Sequence, residues 1–393
     1  MSDALMNTYA RADIAFERGE GPYLITREGD RYLDFASGIA VTSLGHAHPH
    51  LVKALQDQAA RFWHCSNLFR IPEGERLAER LAANSFADRV FFCNSGVEAF
   101  EAAAKLVRKY FDDRGEADRW QVITCNGAFH GRSLTAISAA GNEKYMAGFA
   151  PHVPGFTQVA FEDPDELRAA ITDETAAILV EPIQGEGGIR APELDYLRAL
   201  RQICDESGLL LVFDEIQCGM GRTGTLFAYE QAGIAPDIMM LAKGLGGGFP
   251  IGALLATEGV ARSFGPGNHG TTFGGNPLAM ACGNAVMDVM LEDGFLAQVQ
   301  AVSRNLRGQL EDLVQRHPNV YAEVRGMGLL LGLRCAVPNT DVIAALRQKG
   351  LLTVGAGDNV VRLLPPLIIT EAEVERAIGI LNSVAEDFRQ AAE

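Results

Sequence analysis

Apolar residues in this chain fall into short, nearly continuous runs. The runs are separated by longer stretches in which apolar and polar positions recur at helical spacing. The runs are Arg89–Cys93, Trp120–Cys125, Ala176–Val180, Leu209–Phe213 and Ile238–Ala242. Short apolar runs bounded by glycine, proline or small polar residues read as buried strands. Helical patterns predict helices from Pro49 to about Arg61, over about Glu73–Asn84, from Val97 onward, and over about Leu194–Glu206. Strand-to-helix units in succession indicate an α/β fold with a parallel sheet. Tyr23–Thr26 and Arg31–Asp34 alternate around Glu28-Gly29-Asp30 and predict a hairpin. The last third predicts a smaller α/β domain. Helical stretches over Pro277–Met290 and through about Arg316 form the connection to it, and a final helix is predicted over about Glu371–Arg389. Its short strands are Ala322–Arg325, Leu329–Arg334, Leu352–Val354 and Val360–Leu364.

Parallel sheets bind ligands beyond the carboxyl ends of their strands. The residues that follow the predicted strands are Ser95, Phe129-His130, Glu181, Asp214 and Lys243, so all fall at one edge. Lys243 ends an apolar run and is followed by Gly244, Gly246, Gly247 and Gly248. A lysine there cannot easily snorkel to water. Burial lowers its pKa, the state needed for attack on a carbonyl and Schiff-base formation. The glycines let backbone and ligand approach closely around it. Asn94-Ser95-Gly96 lies between a strand and a helix start, where free N–H groups and the helix dipole attract an anion. Ser95 is equally a simple N-cap. Phe129 suits stacking on a flat ring, and Arg132 suits bidentate carboxylate binding.

Composition narrows the function classes. The 393 residues suffice for two domains or one large unit with an appendage. A net charge of −16 argues against non-specific nucleic-acid binding and against an anionic membrane partner. The seven cysteines are scattered with no C-x-x-C pair, which fits reduced thiols in a cytoplasmic enzyme. The N-terminus lacks a signal-peptide pattern, and no apolar run has membrane-spanning length. His46, His48 and His50 invite a metal hypothesis, but Pro49 breaks their geometry and no acid or thiol stands at ligand spacing, so no metal is expected. Gly219-Met220-Gly221-Arg222-Thr223-Gly224 matches a dinucleotide fingerprint. It neither opens a helix directly nor precedes a strand ending in an acid, so the nicotinamide reading is rejected.

A nucleophilic lysine, a strand-end carboxylate, an aromatic stacker and an anion-binding helix start together suit pyridoxal 5′-phosphate (PLP). The stretches Gly45–Pro49, Asn94–Gly96, Ala128–Arg132, Glu181–Gly188, Asp214–Gln217, Gly219–Gly224, Leu241–Gly244 and Thr271–Pro277 resemble class III (ornithine-type) PLP-dependent aminotransferases over nearly the whole chain. The resemblance implies a fold type I architecture: a mainly parallel sheet with helices on both faces and a smaller C-terminal α/β domain. Residues 1–45 would pack with the small domain, 46–285 would form the PLP domain, and 286–393 the small domain.

The resemblance also implies roles. Lys243 would bind the cofactor and shuttle the proton. Asp214 would pair with the pyridine nitrogen, and Gln217 would approach the ring hydroxyl. Phe129 would stack on the ring, and Ser95, Gly96 and Val97 would hold the phosphate. Thr272 would reach the phosphate from the partner of a homodimer with composite sites, and Thr271 would lie beside the substrate. Arg132 would hold the substrate's distal carboxylate. Arg362 would take the α-carboxylate of glutamate and pair with Glu186 when the donor presents none. Val97 and Phe100 depart from many relatives; Val97 can offer only its backbone N–H, and Phe100 is expected to pack in the core. The implied reaction transfers the ω-amino group of N2-acetylornithine to 2-oxoglutarate, a step of arginine biosynthesis. Succinylornithine, N-succinyl-diaminopimelate, ornithine and 4-aminobutyrate stay open as donors. A PLP-dependent aminomutase or decarboxylase and a non-catalytic PLP-binding protein are the alternatives of other classes.

Overall fold

The computed structural model describes residues 4–392. Its centre is a seven-stranded sheet whose strands are β1 (Arg89–Cys93), β2 (Gln121–Cys125), β3 (Phe156–Val159), β4 (Thr175–Val180), β5 (Leu210–Asp214), β6 (Ile238–Leu241) and β7 (Gly252–Ala256). The spatial order is β1-β7-β6-β5-β4-β2-β3. Neighbours from β6 through β3 pair in parallel. β7 runs antiparallel to both β1 and β6. It lies within PIGALLATE, which the sequence pattern did not reveal as a strand. Glycine and alanine are weak strand formers, and here the pairing on both sides supplies what propensity does not.

The continuous apolar runs have a plain cause. Successive side chains of a strand point to opposite faces, and both faces of this sheet are covered. Leu211, Phe213, Met239 and Leu241 pack on one face with Leu197, Leu200 and Ile203 of the helix Leu194–Ser207. Leu179, Val212, Met240 and Leu254 pack on the other with Phe100 and Leu106 of α1 (Gly96–Asp112). Each such buried Leu or Phe side chain contributes on the order of 1.5–3 kcal/mol.

The remaining strands form two smaller sheets. Phe16–Glu20, Tyr23–Thr26 and Arg31–Asp34 pair antiparallel, and Leu351–Leu352 joins Arg31–Asp34 in parallel. Tyr321–Met327, Leu330–Cys335, Val360–Leu363 and Val354–Ala356 form the other, flanked by the helices Phe295–Arg316, Asn339–Gln348 and Glu371–Ala392. The expected single strand Leu352–Val354 is therefore divided between two sheets, and the chain crosses at Thr353. The N-terminal strands are thus tied to the last third of the chain, as Leu33 N–H donating to Gly350 O (2.8 Å) and Leu364 N–H donating to Phe35 O (2.7 Å) also show.

The histidine-rich loop is occupied with packing. His46 Nε2 lies 2.8 Å from Asp34 Oδ2, and His50 Nε2 lies 2.9 Å from Asp288 Oδ2. Asp34 Oδ1 also accepts from the N–H groups of Ala36 (2.9 Å) and Ser37 (2.8 Å). These bonds hold the start of an unusual segment. Ser37, Gly38, Ile39 and Ala40 all have left-handed φ, between 47° and 66°. Left-handed backbone costs about 1–2 kcal/mol per non-glycine residue, so the surroundings must impose it. Among the described residues, no helix is long and apolar enough to cross a membrane.

Candidate active site

A cavity of about 320 Å³ opens at the carboxyl ends of the central strands. That volume suits a small cofactor. Ser95, Phe129, His130, Glu181, Asp214 and Lys243 all line it. The convergence expected from the parallel sheet is therefore present as geometry.

Lys243 is half-buried on the wall of this cavity. β6 ends at Leu241, one residue sooner than the apolar run, and Lys243 opens a single 3-10 turn with φ +42°. Such a φ is strained for a side-chain-bearing residue and marks functional positions. Desolvation lowers its pKa, and the Arg362 charge adds to the shift; the carboxylates of Glu186, Asp214 and Glu181 oppose it. The glycines after it have separate tasks. A Cβ on Gly246 would collide with the Phe249 carbonyl, and one on Gly247 would meet Leu51. Those two glycines serve close packing within the chain. Gly248 lines the cavity, together with Phe249 and Ile251.

Asp214 is the last residue of β5 and is buried. Its Oδ1 accepts from Ile216 N–H at 3.1 Å, and its Oδ2 faces His130 Nδ1 at 2.8 Å. Burial disfavours a charged His130, but the Asp214 carboxylate more than offsets this and the histidine pKa is raised. Phe100, a departure from the family pattern, is fully buried and stacks on His130 with ring centroids 5.4 Å apart and planes within 6°. Glu181 Oε2 accepts from Phe129 N–H at 3.0 Å and Oε1 from Gly185 N–H at 3.2 Å. Burial pushes its carboxyl up to about 7. Neither His130 nor Glu181 has a role assigned from the sequence. Their one signal there is position: Glu181 directly follows β4, and His130 lies on the loop that leaves β2.

α1 begins at an anion-ready turn. Ser95 is its N-cap and accepts from Glu98 N–H at 3.4 Å; the Glu98 carboxylate in turn accepts from Asn94 N–H at 2.7 Å. Because the Ser95 hydroxyl accepts in this cap, its proton is left to donate. Gly96 and Val97 line the cavity, and their N–H groups are among those a helix start leaves unpaired. The Val97 side chain is taken up by packing, because a Cβ on Gly131 (φ +125°) would lie 2.6 Å from it. Val41 also lines the cavity, delivered by the left-handed segment before it. Nothing in the sequence pattern points to it.

Arg362 is 2 % exposed. It donates to both oxygens of Glu186, at 2.5 and 3.1 Å, and to Gly355 O at 2.8 Å and Gln217 Oε1 at 3.3 Å. Gln217 lines the cavity and so connects this pair to it. Arg132 is exposed, and its guanidinium lies over the Tyr145 ring at 3.8 Å and the Phe129 ring at 5.6 Å.

Thr271 and Thr272 are not brought together with Lys243. Thr271 lines a second recess with Asn67, Leu68 and Phe69. Its hydroxyl accepts from Asn94 Nδ2 at 3.2 Å.

The donor set fits pyridoxal phosphate. It offers a half-buried lysine whose pKa is lowered by desolvation, a buried carboxylate on the same cavity, an aromatic ring on the wall and a helix start with free N–H groups. Comparisons with known proteins agree. The family model for class-III aminotransferases matches residues 6–385. Acetylornithine aminotransferase 1 of Bradyrhizobium diazoefficiens is 59% identical over 378 residues, which is 96% of this chain and 93% of that protein. Among solved structures, N-acetylornithine aminotransferase from Stenotrophomonas maltophilia superposes with TM-score 0.85 at 39% identity, covering 98% of both chains. The ornithine aminotransferase from Toxoplasma gondii, in a structure with PLP partially occupying its active site, superposes with TM-score 0.94 at 33% identity, covering 99% of this chain and 94% of that one.

Proposed function

The chain belongs to the class-III aminotransferases, which depend on PLP, and from that premise we propose that it moves the ω-amino group of N2-acetylornithine to 2-oxoglutarate. The products are N-acetylglutamate 5-semialdehyde and glutamate, and the step belongs to arginine biosynthesis. The observation that carries this reading is the desolvated Lys243 sharing one cavity with the buried Asp214, with a buried Arg362 reached through Gln217 and an exposed Arg132 reached through Phe129. The donor assignment is supported by the 59% identity to a protein named for acetylornithine. That outweighs the higher TM-score to an ornithine enzyme at 33% identity, since backbone likeness says little about pocket side chains.

PLP supplies an aldehyde that takes up the amine and a ring that accepts the electron pair released at the substrate carbon. The chain's own residues do the rest. Lys243 would hold the cofactor and, as a neutral amine, would move the proton between the substrate carbon and the cofactor. Asp214, braced by His130, would keep a proton on the ring nitrogen. Phe129 would stack on the ring, and Gln217 would approach the ring hydroxyl. Ser95 and the N–H groups of Gly96 and Val97 would hold the phosphate. Arg132 takes the donor's distal carboxylate. Arg362 takes the α-carboxylate of glutamate once Glu186 swings aside.

The working form is a homodimer in which Thr272 completes the partner's phosphate site and Thr271 lies beside substrate. This is supported by an exposed apolar face that includes Trp63, Leu68 (88 % exposed), Phe69 (68 %) and Phe273. Monomers rarely leave such a patch uncovered. Leu68→Asp with Phe69→Asp should give single chains on light scattering that lose PLP on dialysis. A wild type that is active as a single chain rejects the dimer. A cytoplasmic location belongs to the same reading and fits cysteines that are all free; activity recovered only from a membrane or secreted fraction rejects it.

A donor panel with 2-oxoglutarate tests the reaction. N2-acetylornithine should give the highest kcat/KM and form one glutamate per turnover. Faster turnover of free ornithine or 4-aminobutyrate rejects the donor, and carbon dioxide release without glutamate rejects transamination.

A further inference from the structure

We infer that Tyr145 is a positioning residue for substrate selection: its ring fixes the Arg132 guanidinium in the pose that receives the donor's distal carboxylate. This rests on the reading of Arg132 given above.

The starting point is what Arg132 lacks. It is exposed, and among the described residues no carboxylate lies in salt-bridge range of it. A free arginine of this length carries about 2 kcal/mol of rotamer entropy, which binding of a carboxylate would have to overcome each time. Arg132 instead lies 3.8 Å from the Tyr145 ring centroid. Tyr145 is half-buried on the short helical turn Glu143–Met146, and Asn142 caps that turn by accepting from Lys144 N–H at 3.0 Å.

The ring is itself held. Tyr145 meets Phe129 edge to face, with centroids 6.0 Å apart and planes at 84°. Arg132 lies 5.6 Å from the same Phe129. Phe129 lines the Lys243 cavity, and Glu181 grips its N–H. The three side chains form one closed group, anchored at the cavity wall and ending in a cation. A guanidinium held by the faces of rings keeps its N–H edge free, because the attraction comes from the ring quadrupole and uses no donor. That edge is what a carboxylate takes bidentately. A carboxylate partner in place of Tyr145 would hold Arg132 as firmly but would compete with the substrate. An aromatic holder orients without competing.

The consequence is a contribution of Tyr145 to discrimination and not to chemistry. Two probes isolate it. N-acetylputrescine is the donor without its distal carboxylate. N-acetylnorvaline is the donor without its reactive amine, so calorimetry of its binding to the PLP-loaded protein reads affinity independently of turnover. Tyr145→Leu should weaken N-acetylnorvaline about tenfold and raise KM for N2-acetylornithine by a similar factor, with kcat within about twofold. N-acetylputrescine kinetics should stay within about twofold of wild type. Tyr145→Phe keeps the ring and should restore both values. Tyr145→Leu should add nothing to Arg132→Gln, since the two act through one contact.

Each outcome decides. Tyr145→Phe as weak as Tyr145→Leu makes the hydroxyl a direct substrate contact and overturns the positioning role. Intact N-acetylnorvaline binding in Tyr145→Leu, with binding lost in Arg132→Gln, overturns it too and leaves the role of Arg132 standing. N-acetylnorvaline binding unchanged by Arg132→Gln removes that role, and this inference with it.

Discussion

Lys243→Ala is expected to lower kcat/KM by at least about 10⁴-fold, combining loss of the proton carrier with loss of the covalent hold on the cofactor. Wild-type protein incubated with PLP should show a visible absorbance band that the variant does not form in the same way. A colourless wild type would falsify the cofactor assignment for these residues. The same desolvation that would suit Lys243 to this role makes it costly. Its folded-state pKa lies below the ordinary lysine value of 10.5, mainly by desolvation. The unfolded chain therefore binds more protons at this group than the folded one. Stability lost to it is greatest at low pH and returns as pH rises from the folded pKa toward 10.5. Lys243→Met, which fills the space without a charge, should accordingly raise the melting temperature of PLP-free protein at pH 7. The gain should fade toward pH 10.5, and a gain independent of pH would show that shape and not charge is responsible. Destabilisation by the site lysine would be a cost of function, as expected for catalytic groups held in unfavourable settings.

How far the sequence speaks differs along this site in a physically consistent way. Lys243, Asp214, Glu181 and the Phe129-His130 pair are legible because each follows a run that must be a buried strand. A parallel sheet then forces their ends to one side. Ser95 and Gly96 are legible for the same reason plus helix-start chemistry. Tyr145 is not: it sits on a one-turn helix, and its task arises from approach to Arg132 in space, which no periodicity encodes. Val41 is invisible because left-handed backbone at Ser37, Ile39 and Ala40 violates local preference and is imposed by Asp34 and His46. The packing tasks of Gly246 and Gly247 were hidden by their neighbours in a run that reads as a ligand loop. In the fold, β7 escaped because Gly252 and Ala253 carry little strand preference. The strand around Thr353 was misjudged because a short run does not say which sheet each residue joins. Local rules thus carried the scaffold and the reactive residues, and failed where tertiary contact overrides propensity.

Arg362→Gln is expected to separate the two half-reactions. With glutamate as amino donor, kcat/KM should fall about 10²–10³-fold, roughly 3–4 kcal/mol, the scale for removing one member of a bidentate buried charge pair. With N2-acetylornithine as donor, the loss should stay under about tenfold, because that half-reaction needs Arg362 only as the resting partner of Glu186. On the proposed switch, the anchoring favours Glu186 as the member that moves. Arg362 has further anchors in Gly355 O and Gln217 Oε1, and its side chain is 2 % exposed. The Glu186 side chain is 24 % exposed, and its backbone carbonyl is fixed by Gly357 N–H at 2.8 Å. Glu186 can therefore rotate toward water while its loop stays in place, leaving a fixed and unpaired guanidinium for the incoming carboxylate. Glu186→Gln should then act oppositely: glutamate should bind more tightly, since no carboxylate competes for Arg362. The N2-acetylornithine half should slow, because a buried guanidinium is left without its counter-charge. Single-turnover kinetics of each half-reaction check both variants. Equal losses in the two halves for Arg362→Gln would mean that this arginine holds the cavity together and does not read the carboxylate.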